Sequence, residues 1–276
     1  MSGHLYLCAT PIGNLKDITL RCLETLKTVQ LILAEDTRQT RKLLNHYEIE
    51  TPLKSFHEHN EYHQTEALIQ QLKEGQNIAL VSDAGLPLIS DPGAHLVQEL
   101  AKAGLNFTCI PGASAPPTAL LLSGLPPLPY TFLGFLPRQR NQRQQLLLQY
   151  RQEKGTLVCF ESPHRLTQAL KDIQEVLGDR QAAVCRELTK RYEEVQRGAL
   201  SALHTHFSAT PARGEITLVL SGALEAEQPP LQSEEELKAR YTELLAQGWH
   251  KKAIFQQLRE ESQLSRNALY SLLHDV

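Results

Sequence analysis

The sequence predicts an α/β protein, two α/β domains followed by a small helical module, and three observations carry that reading. Up to about Gly124, short apolar runs alternate with helix-length amphipathic segments, the pattern of βα units in a mainly parallel sheet. After the proline-rich stretch Ser123 to Pro129 (SGLPPLP), two strand-like runs follow one another without a helix between them, which points to a mixed sheet. Beyond a polar linker at Gly222 to Gln232, with Pro229 and Pro230 adjacent, only helical spacing remains. These breaks set expected domains at 1–122, 123–222 and 233–276, with the first prolines as an interdomain hinge.

The elements follow in order. Strands are expected at His4 to Ala9, Leu31 to Glu35, Leu53 to Phe56, Ile78 to Ser82 and Asn106 to Ile110. Helices are expected between them at Asp17 to Lys27, Thr37 to Tyr47, Asn60 to Glu74 and Ala94 to Ala103. The run Ile78, Ala79, Leu80, Val81 has no polar alternation, which suits a strand buried on both faces. In the second part, strands are expected at Tyr130 to Phe135, Thr156 to Glu161, Ala182 to Glu187, Glu193 to Gly198 and Glu215 to Ser221. Helices are expected there at Asn141 to Arg151, Leu166 to Leu177 and Leu200 to Phe207. In the tail, Ser233 and Glu236 form a capping-box pattern, Gly248 ends the first helix, Ala253 to Leu258 continues as a second, and Ser265 caps a third. Such a module suits either a helix-turn-helix or a packing and dimerisation element.

Four strand ends run into loops of small residues: CATPIGN, AEDTR, SDAGLPLISDPG and CIPGASAPP. In open α/β sheets ligands bind outside the carboxyl ends of the strands, so four such loops on one edge predict a small-molecule pocket. Neither GxGxxG nor GxxxxGK[ST] is present, which removes the main support for dinucleotide and P-loop readings. PGASA offers close backbone approach but no lysine for a phosphate. The pocket therefore suits a ligand with a nucleoside and an amino-acid end.

Composition narrows the class. With 276 residues, 41% hydrophobic and 21% charged, the chain reads as a soluble globular protein. A net charge of −3 excludes nucleic-acid binding by bulk charge and leaves local patches open. One such patch is PRQRNQR, with Arg138, Arg140 and Arg143 and no acid. No apolar stretch reaches membrane-spanning length and the N-terminus lacks a signal-peptide profile, so a cytoplasmic location is expected. The five cysteines, Cys8, Cys22, Cys109, Cys159 and Cys185, contain no CxxC pair and read as structural. The cluster His57 to His63 places His59 and His63 at helical spacing, but without further ligands it reads as a helix start capped by Asn60 at the mouth of a cleft, and no metal is expected.

The ordered motifs ATPIGNLKDIT, AEDTR, VSDAGLPLISDPG, IPGASA, GFLP, FESPHR and RELTK, spread over about Leu5 to Gly222, resemble the rRNA ribose methyltransferases of the tetrapyrrole-methylase superfamily (class III S-adenosylmethionine methyltransferases). The resemblance implies S-adenosylmethionine bound between two α/β domains, a homodimer and no metal. It assigns Pro11, Asp83, Leu86, Ile89, Ser114 and Ala115 to the cofactor from the first domain. Phe160 and the turn at Arg213 to Glu215, centred on Gly214, face it from the second. Where the family motif reads SDAGTP, Leu86 stands in place of the threonine, which leaves backbone contacts there but no hydroxyl.

The implied reaction is methylation of the ribose 2′-hydroxyl of a cytidine in the decoding region of 16S rRNA. A hydroxyl is a weak nucleophile that needs alignment and proton removal. Glu161, Glu187 and Asp36 are candidate bases, and Lys190, Arg186 and Arg38 candidate stabilisers of the developing oxyanion. Arg38, Asn60, His164, Arg165 and the three patch arginines are the expected RNA contacts. Two other readings compete: a tetrapyrrole-precursor methylase of the same fold, and a catalytically inactive RNA-binding adaptor.

Overall fold

The computed structural model describes residues 2–223, 233–262, 264 and 266–273. Its contacts group the chain into one compact unit ending at Ala223 and another beginning at Leu224. Pro229, Pro230 and the expected cap Ser265 lie outside the described residues.

The first unit holds two five-stranded sheets. One consists of β1 (His4–Cys8), β2 (Leu31–Ala34), β3 (Leu53–Ser55), β4 (Ile78–Val81) and β5 (Asn106–Ile110), all parallel, in the order β3-β2-β4-β1-β5. Central β4 is buried along its whole length because its side chains feed two cores in alternation. Ala79 and Val81 join Cys22 and Leu26 of α1 (Leu20–Thr28) and Leu44 of α2 (Thr37–His46). Ile78 and Leu80 join Leu68 and Leu72 of α3 (Glu61–Lys73) and Leu96 and Leu100 of α4 (Ala94–Lys102). A strand covered by helices on both faces has no solvent side on which a polar alternation would appear.

Register sets the site. Val81 pairs with both Cys8 and Ala34, and Cys8 with Ile110, so four strands end level and their loops leave one edge together.

The second sheet is mixed, ordered β6-β7-β10-β8-β9, from β6 (Tyr130–Phe135), β7 (Thr156–Glu161), β8 (Gln181–Arg186), β9 (Glu194–Ala199) and β10 (Ile216–Leu220); only β6 and β7 are parallel neighbours. One face packs on α6 (Arg140–Gln149), α7 (Leu166–Leu177) and α8 (Leu200–Ala209). The other is covered by α5 (Ala115–Ser123), whose Ala119 and Leu120 join Ile12 of the first sheet's loops and Val158, Ala183, Cys185 and Val219 of the second sheet.

Helix α5 departs from expectation. Its first turn, Ala115 to Pro117, falls within the expected loop CIPGASAPP, because proline is tolerated in a first helical turn, where the amide has no partner within the helix. The boundary expected between residues 122 and 123 falls inside this helix. The stretch after it, read as a hinge, is pinned: Thr156 donates from its amide to Pro129 O at 3.0 Å and from its hydroxyl to Pro126 O at 2.6 Å.

In the second unit, α9 (Glu234–Ala246), α10 (Lys251–Ser262) and α11 (Arg266–Leu273) enclose their own core of Leu237, Tyr241, Leu244, Ile254, Leu258, Leu269 and Leu273. The capping box between Ser233 and Glu236 is formed in both directions. Among the described residues no helix is long and apolar enough to cross a membrane.

Candidate active site

The loop after β4 is tied at both ends. Thr10 and Gly85 exchange backbone hydrogen bonds of 2.9 and 3.0 Å, the Thr10 hydroxyl donates to Ser82 O, and the Ser82 hydroxyl to Gly85 O. At the far end the buried Glu61 carboxylate accepts from the Gly93 amide at 2.9 Å, in front of α4. Between these anchors Leu88 (φ 69°) and Ser90 (φ 73°) are left-handed, a conformation that costs residues with a Cβ of order 1–3 kcal/mol and persists only where surroundings enforce it.

This loop forms one wall of a 480 Å³ cavity that also takes in the start of α5 and the ends of β7 and β10. Of the expected cofactor contacts, Asp83, Leu86, Ile89, Ser114, Ala115, Phe160 and Gly214 line it; Pro11 does not, and its neighbour Ile12 does. Gly214 sits at φ 83°, and a Cβ there would fall 2.2 Å from Glu187 Oε1, so the floor closes only with glycine.

The first-sheet wall is acidic. Asp83 accepts the Asp36 amide at 3.1 Å, and burial raises its carboxyl above the ordinary range despite that bond. Arg38 donates to both Asp36 oxygens, at 3.0 and 2.7 Å, and holds that carboxyl at about 2. Asp36 is thus a helix-capping ion-pair partner, outside the cavity lining, and ill-suited to the expected role of base. Glu35 and Asp91, which sequence reasoning passed over, face the cavity together. Both stand inside motifs quoted above, AEDTR and SDPG, but nothing in the sequence says that they meet.

On the second-sheet wall, Glu161 lines the cavity with its oxygens already engaged. Arg165 donates to them at 2.7 and 2.8 Å, and the Ser162 amide adds a third bond of 2.7 Å. Arg165 also donates to Leu136 O, so the pair anchors β7 to the start of α7. Neither Lys190 nor Arg186 lines the cavity. The Lys190 ammonium bridges Glu187 at 2.9 Å and Glu215 at 3.1 Å, and Arg186 pairs with Glu194. Burial would raise Glu187, but the Glu215 amide and Lys190 outweigh it and keep its carboxyl below the usual range. These partners occupy the groups expected to do the chemistry.

The arginine patch needs a larger correction. Arg143 is only 4% exposed; its guanidinium grips the fully buried Asp172 of α7 and donates to Pro137 O and Arg138 O. Arg140 joins Asp172 at 3.1 Å and Glu175 at 2.7 Å. Two of the three arginines therefore fasten α6 to α7, and Arg138 alone remains an exposed candidate for phosphate, as does His164 for RNA. Asn60 occupies the N-cap position of α3 without making the cap bond; its Oδ1 accepts the His57 amide at 2.8 Å, which stabilises the preceding turn. His59 precedes α3, so it does not share a helical face with His63.

The pattern of the tetrapyrrole (corrin/porphyrin) methylases matches residues 4–204. A ribosomal RNA small subunit methyltransferase I from Halalkalibacterium halodurans is 47% identical over 275 residues, 99% of this chain and 95% of its own length. A protein of that name from Thermotoga maritima is 49% identical over 220 residues, 80% of this chain and 99% of its own. Among solved structures, a diphthine synthase at 14% identity shares the fold with a TM-score of 0.60, covering 99% of this chain and all of that one. The two-sheet unit with its cavity at the level strand ends is thus the methylase body, and the chain belongs to the tetrapyrrole (corrin/porphyrin) methylases, in the branch of the ribosomal RNA small subunit methyltransferase I enzymes.

Proposed function

We propose that the chain transfers a methyl group from S-adenosylmethionine to the ribose 2′-hydroxyl of a cytidine in the decoding region of 16S rRNA. The cavity is the observation that carries this reading, because its walls match the two ends of that donor. A volume of 480 Å³ is in the range of small-molecule sites. On its acidic side Asp83 complements the ammonium of the donor's amino-acid end, and Leu86, Ile89, Leu188, Ile216 and the Phe160 ring suit an adenine. Close backbone at Gly85 and Gly214 leaves room for both. When bound, the donor supplies an electrophilic methyl carbon on a cationic sulfur.

The protein's own part is to bind, orient and deprotonate. Phe135, 57% exposed and 5.2 Å from Phe160 between ring centroids, offers a face at the cavity rim on which a splayed base would stack, the usual way single-stranded RNA is read. Arg138, just after β6, and His164, just before α7, are exposed and available for polar contacts with RNA. The name carried by close relatives supports the small-subunit rRNA as substrate. We place the enzyme in the cytoplasm with the ribosomal subunits. As its partner we assign a second copy of the chain, set against the free sheet edge β5, where residues 106–109 are exposed.

The test is incubation with methyl-labelled S-adenosylmethionine and either unmethylated small subunits or a corrinoid precursor. Label in the 2′-O-methylcytidine of 16S rRNA is expected. Label in the corrinoid alone would replace this reading with the tetrapyrrole one, and label in neither would leave only the adaptor.

A further inference from the structure

Five carboxylates line the cavity: Glu35, Asp83, Asp91, Glu161 and Glu215. Three are committed elsewhere. Glu161 is held by Arg165 and Ser162, Glu215 bonds Lys190 and is 70% exposed, and Asp83 accepts the Asp36 amide. Glu35 and Asp91 differ, since they line the cavity together and, among the described residues, neither forms a salt bridge.

From this arrangement we propose that Asp91, which lines the cavity together with Glu35, accepts the proton of the ribose hydroxyl that is methylated. The proposal rests on the rRNA reading above and adds to it the group that makes the hydroxyl a nucleophile.

The loop is built to present this residue. Asp91 follows left-handed Ser90 and precedes Pro92, and Glu61 clamps Gly93 two residues on, so its backbone is fixed from both sides. Holding two left-handed residues costs stability, and such strain gathers where a side chain must be aimed. Charge completes the argument. Burial first, then the charge and hydrogen bond of Glu35 and the charge of Asp83, raise the Asp91 carboxyl to about 7. A general base acts best when its pKa lies near the working pH. The other charged groups near this wall are the Asp36 and Arg38 ion pair, with Glu161 and Glu215 on the opposite wall, paired to Arg165 and Lys190.

The step balances. As the ribose oxygen bonds the methyl carbon, the methyl–sulfur bonding pair leaves with the neutral thioether, and the hydroxyl proton passes to ionised Asp91, which then shares it with Glu35. Loss of that proton to water resets the pair.

The sign of the pH dependence follows. The active form is ionised Asp91, so turnover rises with pH through about 7. Glu35→Gln removes the charge that raises Asp91 and moves that rise to lower pH, an effect a purely structural role would not produce. Asp91→Asn removes the rise and lowers kcat by about 100-fold or more while donor affinity is kept, the scale of a lost general base. Carbon-13 NMR of aspartate-labelled protein without donor reads the same group directly, near neutrality in the wild type and lower in Glu35→Gln. It decides the matter even where Asp91→Asn fails to fold.

Wild-type kcat and pH profile in folded Asp91→Asn would overturn the proposal, as would an Asp91 that titrates in the ordinary carboxylate range. Weakened donor affinity with the pH rise retained would overturn it too, and would make the pair a holder of the donor's positive charge. A wild-type protein that labels no small subunits removes the rRNA reading and this proposal together, a result distinct from the other three.

Discussion

Arg143→Met tests whether the arginine run binds RNA or holds the protein together. The substitution keeps the aliphatic stem and removes the guanidinium that donates to Asp172, Pro137 O and Arg138 O. Breaking one side of a buried ion pair costs about 3–5 kcal/mol, because the remaining charge stays buried. Asp172 would keep Arg140 Nε at 3.1 Å and Gln168 Nε2 at 2.9 Å, which argues for the lower end, about 3 kcal/mol. At about 2–4 °C per kcal/mol for a unit of this size, the melting temperature should fall by about 6–12 °C. Acid adds a second signature. Burial alone would raise Asp172, but Arg143, Gln168 and Arg140 together hold its carboxyl below the ordinary range. Its contribution is therefore present above the unfolded carboxylate value near about 4 and is lost as pH falls through the folded one. The gap between wild type and variant should narrow below that pH. Calorimetric melts across pH, with the salt dependence of RNA binding measured on the folded variant, make the assay. An unchanged melting temperature with a shallower salt slope would refute the structural assignment and return Arg143 to the RNA path.

Three further outcomes are expected. Asp83→Ala should weaken S-adenosylmethionine binding in titration calorimetry with little change in melting temperature, and wild-type affinity would show that the acidic wall does not hold the donor. Gly214→Ala should cost about 1–3 kcal/mol in denaturant melts and weaken donor binding as well, since its Cβ would collide with the Glu187 carboxylate packed against the cavity-lining Gly214; a variant matching wild type in both would show that the close approach is unimportant. A chain ending at Ala223 should fold and keep donor affinity, because the tail helices have a core of their own, and it should label small subunits poorly. Full labelling with a lowered melting temperature would assign the tail to stability.

Much of the fold was legible because its signals are local. Helices α1 to α4 and strands β1 to β5 emerge where expected, since each apolar period answers to a core its own residues fill. What escaped was set by partners far along the chain. Arg143 reads as one arginine among three, and only the packing of α6 on α7 gives it Asp172, 29 residues away, as a buried counter-ion. A trace of this was present, because Arg143 lies four residues before buried Leu147 and so shares the inward face of the helix. Helix α5 escaped because two prolines argue for a loop until their place in the first turn is known.

The class of fold, the four small-residue loops and the family could be read from residue types in order. The tertiary structure decided which charged residues remain available. Glu161, Lys190, Arg186 and Asp36 look like reagents in the sequence and are ion-paired in space, whereas Glu35 and Asp91, 56 positions apart, look unremarkable and share a cavity wall. The reason is physical. A side chain's chemistry depends on what desolvates it and what charge stands beside it, and both are set by contacts between distant segments, which local patterns of apolarity and spacing do not encode.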